Sequence, residues 1–346
     1  MKDFLKDLIS LPGLSGHEAP IRERIAERWQ TLSDEIHTSP IGSLHALKRG
    51  NGAAPRSRVL IATHMDAIGL MVTGIDQGYL HITGVGGVDG RVLPGQRVIV
   101  HGRRELPGVV ISPADRLLPD SVHGNPVPME HLLVDTALQP EETAALVRPG
   151  DLVSFAQPPI EMGEDILAGH SLDNRASVAA LTHALTLLQG REHAWDVWAV
   201  ATVQEEVTLG GAHTSAFDLR PDVAIAVDVT FGDGPGSPEH LTFPLESGIP
   251  INWGVNMHRG VINELKRHAD ALEIPYQMEF APRHSGTDGM ALQIAADAVP
   301  TAVLSIPLRY MHTPVEMISL KDVRRVGRLL AEFIAGLPAD WQPAVE

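Results

Sequence analysis

The sequence predicts an α/β fold, a mixed sheet sandwiched by helices, carrying a small inserted β-rich domain. Three observations lead there. Helical and buried-strand patterns alternate through residues 1–67 and again through 165–346. Between them, residues 68–164 carry short β-rich runs closely punctuated by Gly and Pro. The chain has 346 residues, 44% of them hydrophobic, and a mean hydropathy of +0.01, which suffices for one large core and a second domain.

Residues 2–35 read as two helices separated by the loop Pro12-Gly13-Leu14-Ser15-Gly16. The second begins at Pro20-Ile21 and runs to Leu32, with Ile21, Ile25, Trp29 and Leu32 recurring near the helical period. Val59-Leu60-Ile61-Ala62 is a short buried strand that leads into Thr63-His64-Met65-Asp66. The β-rich insert follows, with runs at 70–72, 79–82, 96–100, 108–111 and 151–155. After Gly169 the alternation resumes. Residues 173–188 are helical in pattern, with Val178, Leu181, Leu185 and Leu188 apolar. The strand at 197–203 ends in Gln204-Glu205-Glu206, and the strand at 223–227 ends at Asp228. A helix at 261–272 precedes a strand at 276–280; a helix at 289–296 precedes a strand at 301–306. A last helix spans 321–336.

Composition narrows the function. Asp and Glu number 43 against 27 Lys and Arg, a formal charge of −16. With no basic run to neutralise phosphates, a nucleic-acid partner is excluded. A cationic substrate, such as a free peptide N-terminus, remains compatible. There are no cysteines, so disulfides and thiolate metal sites are impossible, and any metal must be held by His, Asp and Glu. The first residues are charged and amphipathic, without a secretory apolar segment, and no apolar run spans a bilayer. A cytoplasmic enzyme without a membrane partner is the expectation.

Chemistry belongs where the carboxyl ends of strands converge on one rim of an open α/β sheet. Glu205 and Glu206 are adjacent at such an end. Two neighbouring acids repel unless a cation separates their roles, one binding it and the other handling protons. His64, Asp173, Glu206, Asp228 and His312 all sit at predicted strand ends or in adjoining loops. Two His and three carboxylates suit a pair of divalent ions, zinc or cobalt by ligand type. Five ligands give three per ion only if one carboxylate bridges.

Each residue alone has a structural reading. Asp173 reads equally as a helix cap, Asp228 as a turn residue, His64 as a satisfied core histidine, His312 as a loop residue before Pro314, and Glu205-Glu206 as a solvated loop. Their shared placement favours a metal centre. Asp66 is placed to accept the second ring N–H of a metal-bound His64, or else to sit in a turn. Arg283, His284, Ser285 and Asp288 precede a helix and either line a pocket or, for Ser285 and Asp288, cap it. Tyr310 either faces the site or packs.

Seven motifs follow one another in order: Pro12-Gly13-Leu14-Ser15-Gly16-His17-Glu18, Thr63-His64-Met65-Asp66-Ala67-Ile68-Gly69, Leu172-Asp173-Asn174-Arg175, Gln204-Glu205-Glu206-Val207-Thr208-Leu209-Gly210-Gly211-Ala212, Asp228-Val229-Thr230, Ser285-Gly286-Thr287-Asp288 and Arg309-Tyr310-Met311-His312-Thr313-Pro314-Val315-Glu316. Over nearly the whole chain this set resembles the M42 metallo-aminopeptidases, which include tetrahedral and glutamyl aminopeptidases and proteins once labelled endoglucanase. The resemblance implies a zinc-exopeptidase-like fold and two divalent metal ions. His64 and Asp228 would hold one, Glu206 and His312 the other, and Asp173 would bridge. Glu205 would be the general base toward a water shared by the ions, with Asp66 assisting beside His64. Peptides with a free N-terminus would be the substrates. The insert would serve dimerisation or assembly, in homo-oligomers from dimers to hollow dodecamers.

Three departures from the family pattern stand out: Asn174 after the bridging Asp173, His284-Ser285-Gly286 before Thr287-Asp288, and 245–250 in place of a more glycine-rich loop. None removes an expected ligand; the latter two bear on pocket shape. The rival enzyme reading is a dinuclear amidohydrolase or deacylase acting on acylated amino acids or small peptides. A glycosidase would need two carboxylates across a sugar instead of side by side. A non-enzymatic assembly protein would not need an intact ligand set.

Overall fold

The computed structural model describes residues 1–345. Helices α1 (Lys2–Ile9) and α2 (Ala19–Trp29) open the chain. Pro20 lies in the first turn of α2, where a missing N–H costs nothing. Strands β1 (Glu35–Thr38), β2 (Leu44–Lys48) and β3 (Arg58–His64) follow. The next segment holds β4 (Gly69–Asp76), β5 (Tyr79–Val85), β6 (Arg97–His101), β7 (Glu105–Ile111), β8 (Leu133–Asp135), α3 (Pro140–Leu146) and β9 (Leu152–Phe155). Then come β10 (Ile160–Met162), β11 (Ile166–Gly169), α4 (Leu172–Leu187), β12 (Asp196–Thr202), α5 (Glu205–Thr208), α6 (Gly210–Leu219) and β13 (Val223–Phe231). The chain closes with β14 (Ile249–Gly254), α7 (Arg259–Ala271), β15 (Tyr276–Ala281), α8 (Asp288–Gln293), β16 (Thr301–Arg309), β17 (Glu316–Ser319) and α9 (Leu320–Gly336).

The large sheet runs β1-β2-β12-β3-β13-β16-β17-β11-β10, with β14 pairing both β15 and β16. Its centre, β12-β3-β13-β16, is parallel. Its outer pairs β1-β2, β2-β12, β16-β17, β17-β11 and β11-β10 are antiparallel. The central strands are continuous apolar runs because helices cover both faces; in β13 every residue from Val223 to Thr230 is buried. Helix α4 packs against α9, β3 and β13, while α6 and α8 pack against each other and against the same sheet. Almost all of α4 is buried, as expected of a helix without a polar face. Two polar side chains tie it down. Trp29 Nε1 donates to Thr182 Oγ1 at 2.8 Å. The buried Arg175 guanidinium donates to the carbonyls of Leu8 and Leu11 at 2.5 and 2.6 Å, closing the end of α1, and burial draws its pKa down to about 9.

The insert is a closed antiparallel barrel, β4-β5-β8-β7-β6-β9. It has its own core, including Leu70, Val72, Leu80, Val98, Val110, Val134 and Val153. Closure leaves no unpaired sheet edge. The barrel ends with Phe155, and residues 160–162, expected within the insert, pair instead through β11 into the large sheet. Local texture says that a segment is extended, not which sheet it joins.

Strands β1, β2, β14 and β17 go beyond the sequence expectation. Alternation in β2 is masked by His45, which is fully buried, and β14 contains Pro250, which reads as a breaker but lies opposite Gln277 of β15 and outside the Ile251–Leu304 pair that joins β14 to β16. Strand β13 continues three residues past Asp228, because 229–231 pair with 306–308 of β16. Helix α8 is capped by Thr287, which accepts from the Gly289 N–H; neither Ser285 nor Asp288 is the cap. Among the described residues no helix is long and apolar enough to cross a membrane.

Candidate metal centre

Five segments deliver side chains to one rim. His64 ends β3, Asp173 opens α4, Glu205 and Glu206 open α5, Asp228 lies within β13, and His312 follows β16. Three of these segments turn sharply through left-handed residues: Ser171 (φ 61°), Gln204 (φ 59°) and His312 itself (φ 61°). Non-glycine residues are rare there, and such positions cluster at functional sites. The Gln204 turn brings α5 up directly at Glu205. The Asp173–Asn174 peptide is cis, and Asn174 Nδ2 donates to the Val227 carbonyl at 2.9 Å beside Asp228.

Asp173 is the hub. Its Oδ1 lies 3.1 Å from His64 Nε2 and its Oδ2 lies 3.4 Å from His312 Nε2. Around His64 Nε2, Asp228 Oδ1 stands at 3.6 Å and Glu205 Oε2 at 3.8 Å. On the other side, Glu206 Oε2 is 3.3 Å from His312 Nε2. Ligand atoms of His64, Asp173 and Glu206 lie within 4.8 Å of one another, as do those of His64, Glu205 and Asp228. Glu206 Oε1 is buried with no hydrogen-bond partner. Such an orphaned acceptor among neutral-or-cationic imidazoles is what a bound cation would satisfy.

Asp66 does a different job from the one expected. The nearest acceptor to His64 Nδ1 is the Asp66 backbone carbonyl at 3.1 Å, with the carboxylate at 3.6 Å. The carboxylate instead takes the backbone N–H groups of Glu205 and Glu206, at 3.0 and 3.3 Å, and the Ser15 hydroxyl at 2.6 Å. It therefore aims the pair of adjacent acids.

Glu316 closes the last of the seven motifs. It is 1% exposed and accepts from the backbone N–H of Asp173 at 3.1 Å and of His312 at 3.0 Å. It clamps the two segments that meet at the hub. Burial, then the Asp173 charge, push its carboxyl up, and the two N–H groups pull it back. Glu316→Gln turns one acceptor oxygen into a donor facing an N–H. We expect metal affinity about 10–100-fold weaker, the usual effect of losing a supporting bond. Competition with a chromogenic chelator measures it, and unchanged affinity would remove the clamp role.

The barrel also reaches the rim. The loop after β5 brings the Gly87 carbonyl within 3.1 Å of His312 Nδ1, and a Cβ at Gly87 would meet that nitrogen at 2.7 Å. Only glycine allows this approach.

The centre opens into a cavity of about 710 Å³. His284 and Ser285 line it; Arg283 and Tyr310 do not, and Tyr310 is largely exposed. Asp288 is buried nearby, accepting from Thr202 Oγ1 at 2.5 Å, with its other oxygen unpartnered. The electrostatics are those of crowded acids. Burial lifts the Glu205 carboxyl to about 10; His64 opposes this, and Asp228, Asp288 and Asp173 add to it. Burial likewise raises Glu206 and Asp228. Hydrogen bonds to Asp173 and Glu206 raise the His312 imidazole to about 11. Burial also works against the Asp173 charge, but His312 and His64 outweigh it and lower its carboxyl. So many acids converge on two imidazoles that a divalent cation would relieve the cluster.

A mixed α/β sheet with an acidic, histidine-bearing rim that opens into a cavity fits a hydrolase centre. The M42 glutamyl aminopeptidase family matches residues 42–329. The chain belongs to that family, and with it to the peptidase hydrolases. It is similar to the lysyl aminopeptidase of Pyrococcus furiosus, 34% identical over 348 residues that cover 99% of each chain. Among solved structures it is similar to the TET aminopeptidase of a marine sediment thaumarchaeon, with a TM-score of 0.90, 30% identity and coverage of 97% of this chain and 96% of that one. The Pyrococcus horikoshii TET1 peptidase, which can assemble into a tetrahedron or a large octahedral shell, aligns with a TM-score of 0.84 and 30% identity over 96% of this chain and 98% of that one.

Proposed function

We propose that this protein is a dinuclear metal-dependent aminopeptidase that removes single residues from the N-termini of peptides. The observation that carries this reading is Asp173, which offers one carboxylate oxygen to each of two histidines. His64 and Asp228 would hold one ion, Glu206 and His312 the other, and Asp173 both; zinc and cobalt suit these donors. Bound ions supply Lewis acidity, which polarises a scissile carbonyl and acidifies water.

The chain's own residues do the rest. Glu205, beside His64, takes the proton of the attacking water and returns it to the leaving amine. Asp66 holds Glu205 and Glu206 in register through their backbone N–H groups, and its carbonyl orients His64. The acidic cavity attracts the free α-ammonium of a substrate, which makes the enzyme exo-acting. The barrel acts as an assembly domain of a homo-oligomer, in line with the shells formed by the similar TET1 peptidase.

The test is metal removal. Chelation should abolish cleavage of aminoacyl fluorogenic substrates, and Zn²⁺ or Co²⁺ should restore it. N-acetylated versions of the same substrates should stay intact, which separates this reading from a deacylase. Full activity in metal-free protein, or preference for the acylated compounds, would refute it.

A further inference from the structure

We propose that Glu279, in the floor of the same cavity, selects N-terminal residues with a cationic side chain, lysine or arginine. The proposal rests on the aminopeptidase reading and names its substrate class.

Four strands converge on this carboxylate. Glu279 on β15 is half-buried and lines the cavity together with Asp228, Thr230, Asn252 and Ser305. One of its oxygens accepts from Thr230 Oγ1, and the other accepts from Ser305 Oγ at 2.8 Å. Asn252 lies directly opposite it in the β14–β15 register, and its amide works to keep the carboxylate charged. All three donors are neutral. The acids of the metal centre face His64 or His312, whereas Glu279 has no charged partner, and no Lys or Arg lines the cavity among the described residues. An acid held by hydroxyls and an amide, with a cavity in front of it, is a receptor for a cation.

The spacing fits. Thr230 is two residues beyond Asp228 on β13, and Ser305 on β16 is the register partner of Asp228. The backbone of Thr230 lies roughly 6–7 Å, two residues of extended strand, beyond that of Asp228, so the carboxylate bound to Thr230 stands about one side-chain length from a candidate metal ligand. A substrate lysine anchored by its α-amino group at the centre spans such a gap with its four-carbon stem. Met290 and Met311 give the cavity apolar lining for that stem. A glutamyl side chain would meet a like charge and be rejected.

The experiment compares metal-loaded wild type with Glu279→Gln and Glu279→Lys on lysyl, norleucyl, leucyl and glutamyl fluorogenic substrates. Lysine and norleucine share the same stem, so their ratio reads the charge alone. We expect wild type to favour lysyl over norleucyl by at least about 10-fold in kcat/KM, the scale of a charge-assisted hydrogen bond. Glu279→Gln should collapse that ratio, and Glu279→Lys should favour glutamyl. Inhibition by free lysine and free norleucine gives the same contrast without turnover. A wild type that cleaves norleucyl as well as lysyl, or a metal-loaded Glu279→Gln that keeps the wild-type ratio, overturns the proposal alone. A metal-loaded wild type that cleaves none of the panel overturns the aminopeptidase reading as well.

Discussion

Glu205→Gln is expected to keep both metal equivalents and its melting temperature while kcat falls about 10²–10⁴-fold, the span associated with a positioned acid–base group. The substitution is nearly isosteric and leaves the backbone N–H of residue 205 on Asp66, so the loop stays where it is. What disappears is a carboxylate 3.8 Å from His64 Nε2 that can accept a proton and give it back. KM should change little if Glu205 handles the proton and not the substrate's amine, as proposed. Near-normal turnover in a metal-replete Glu205→Gln would assign the proton transfer to another group.

Asp173→Ala should have the other large effect, on binding. Asp173 is the side chain that touches both histidines, and removing it separates the two halves of the centre. The backbone N–H of residue 173 still reaches Glu316, so the fold has no reason to collapse. Elemental analysis should find the protein depleted of both ions. Added Zn²⁺ should raise the melting temperature of wild type, since a ligand that binds only the folded state stabilises it, and should leave the variant unmoved. Two equivalents retained in Asp173→Ala would show that the hub is elsewhere.

Much of the candidate centre was legible because its residues close apolar runs. Val59 to Ala62 is too apolar to be anything but a buried strand, so His64 had to lie near its end. The same logic reached Glu205, Glu206 and His312. For Asp228 it was less exact, because β13 pairs on through Phe231 and the aspartate sits inside the strand. Glu316 and Glu279 were not legible. Glu316 acts on Asp173 from 143 residues away, and nothing in its local pattern distinguishes a buried clamp from a surface acid. Glu279 sits in a strand with a half-buried, mixed pattern, and its meaning comes from Thr230 and Ser305 on two other strands.

The amino-acid order by itself determined that the chain forms a helix-covered sheet with a β-rich insert, and that any metal must rest on imidazole and carboxylate. Those are consequences of periodicity and residue type, which act over a few positions. The closing of the barrel, the sheet that 160–162 joins, which histidine each oxygen of Asp173 meets, and the neutral company of Glu279 were decided only by tertiary structure. Each depends on segments distant in the chain being packed together, and no local pattern carries that information.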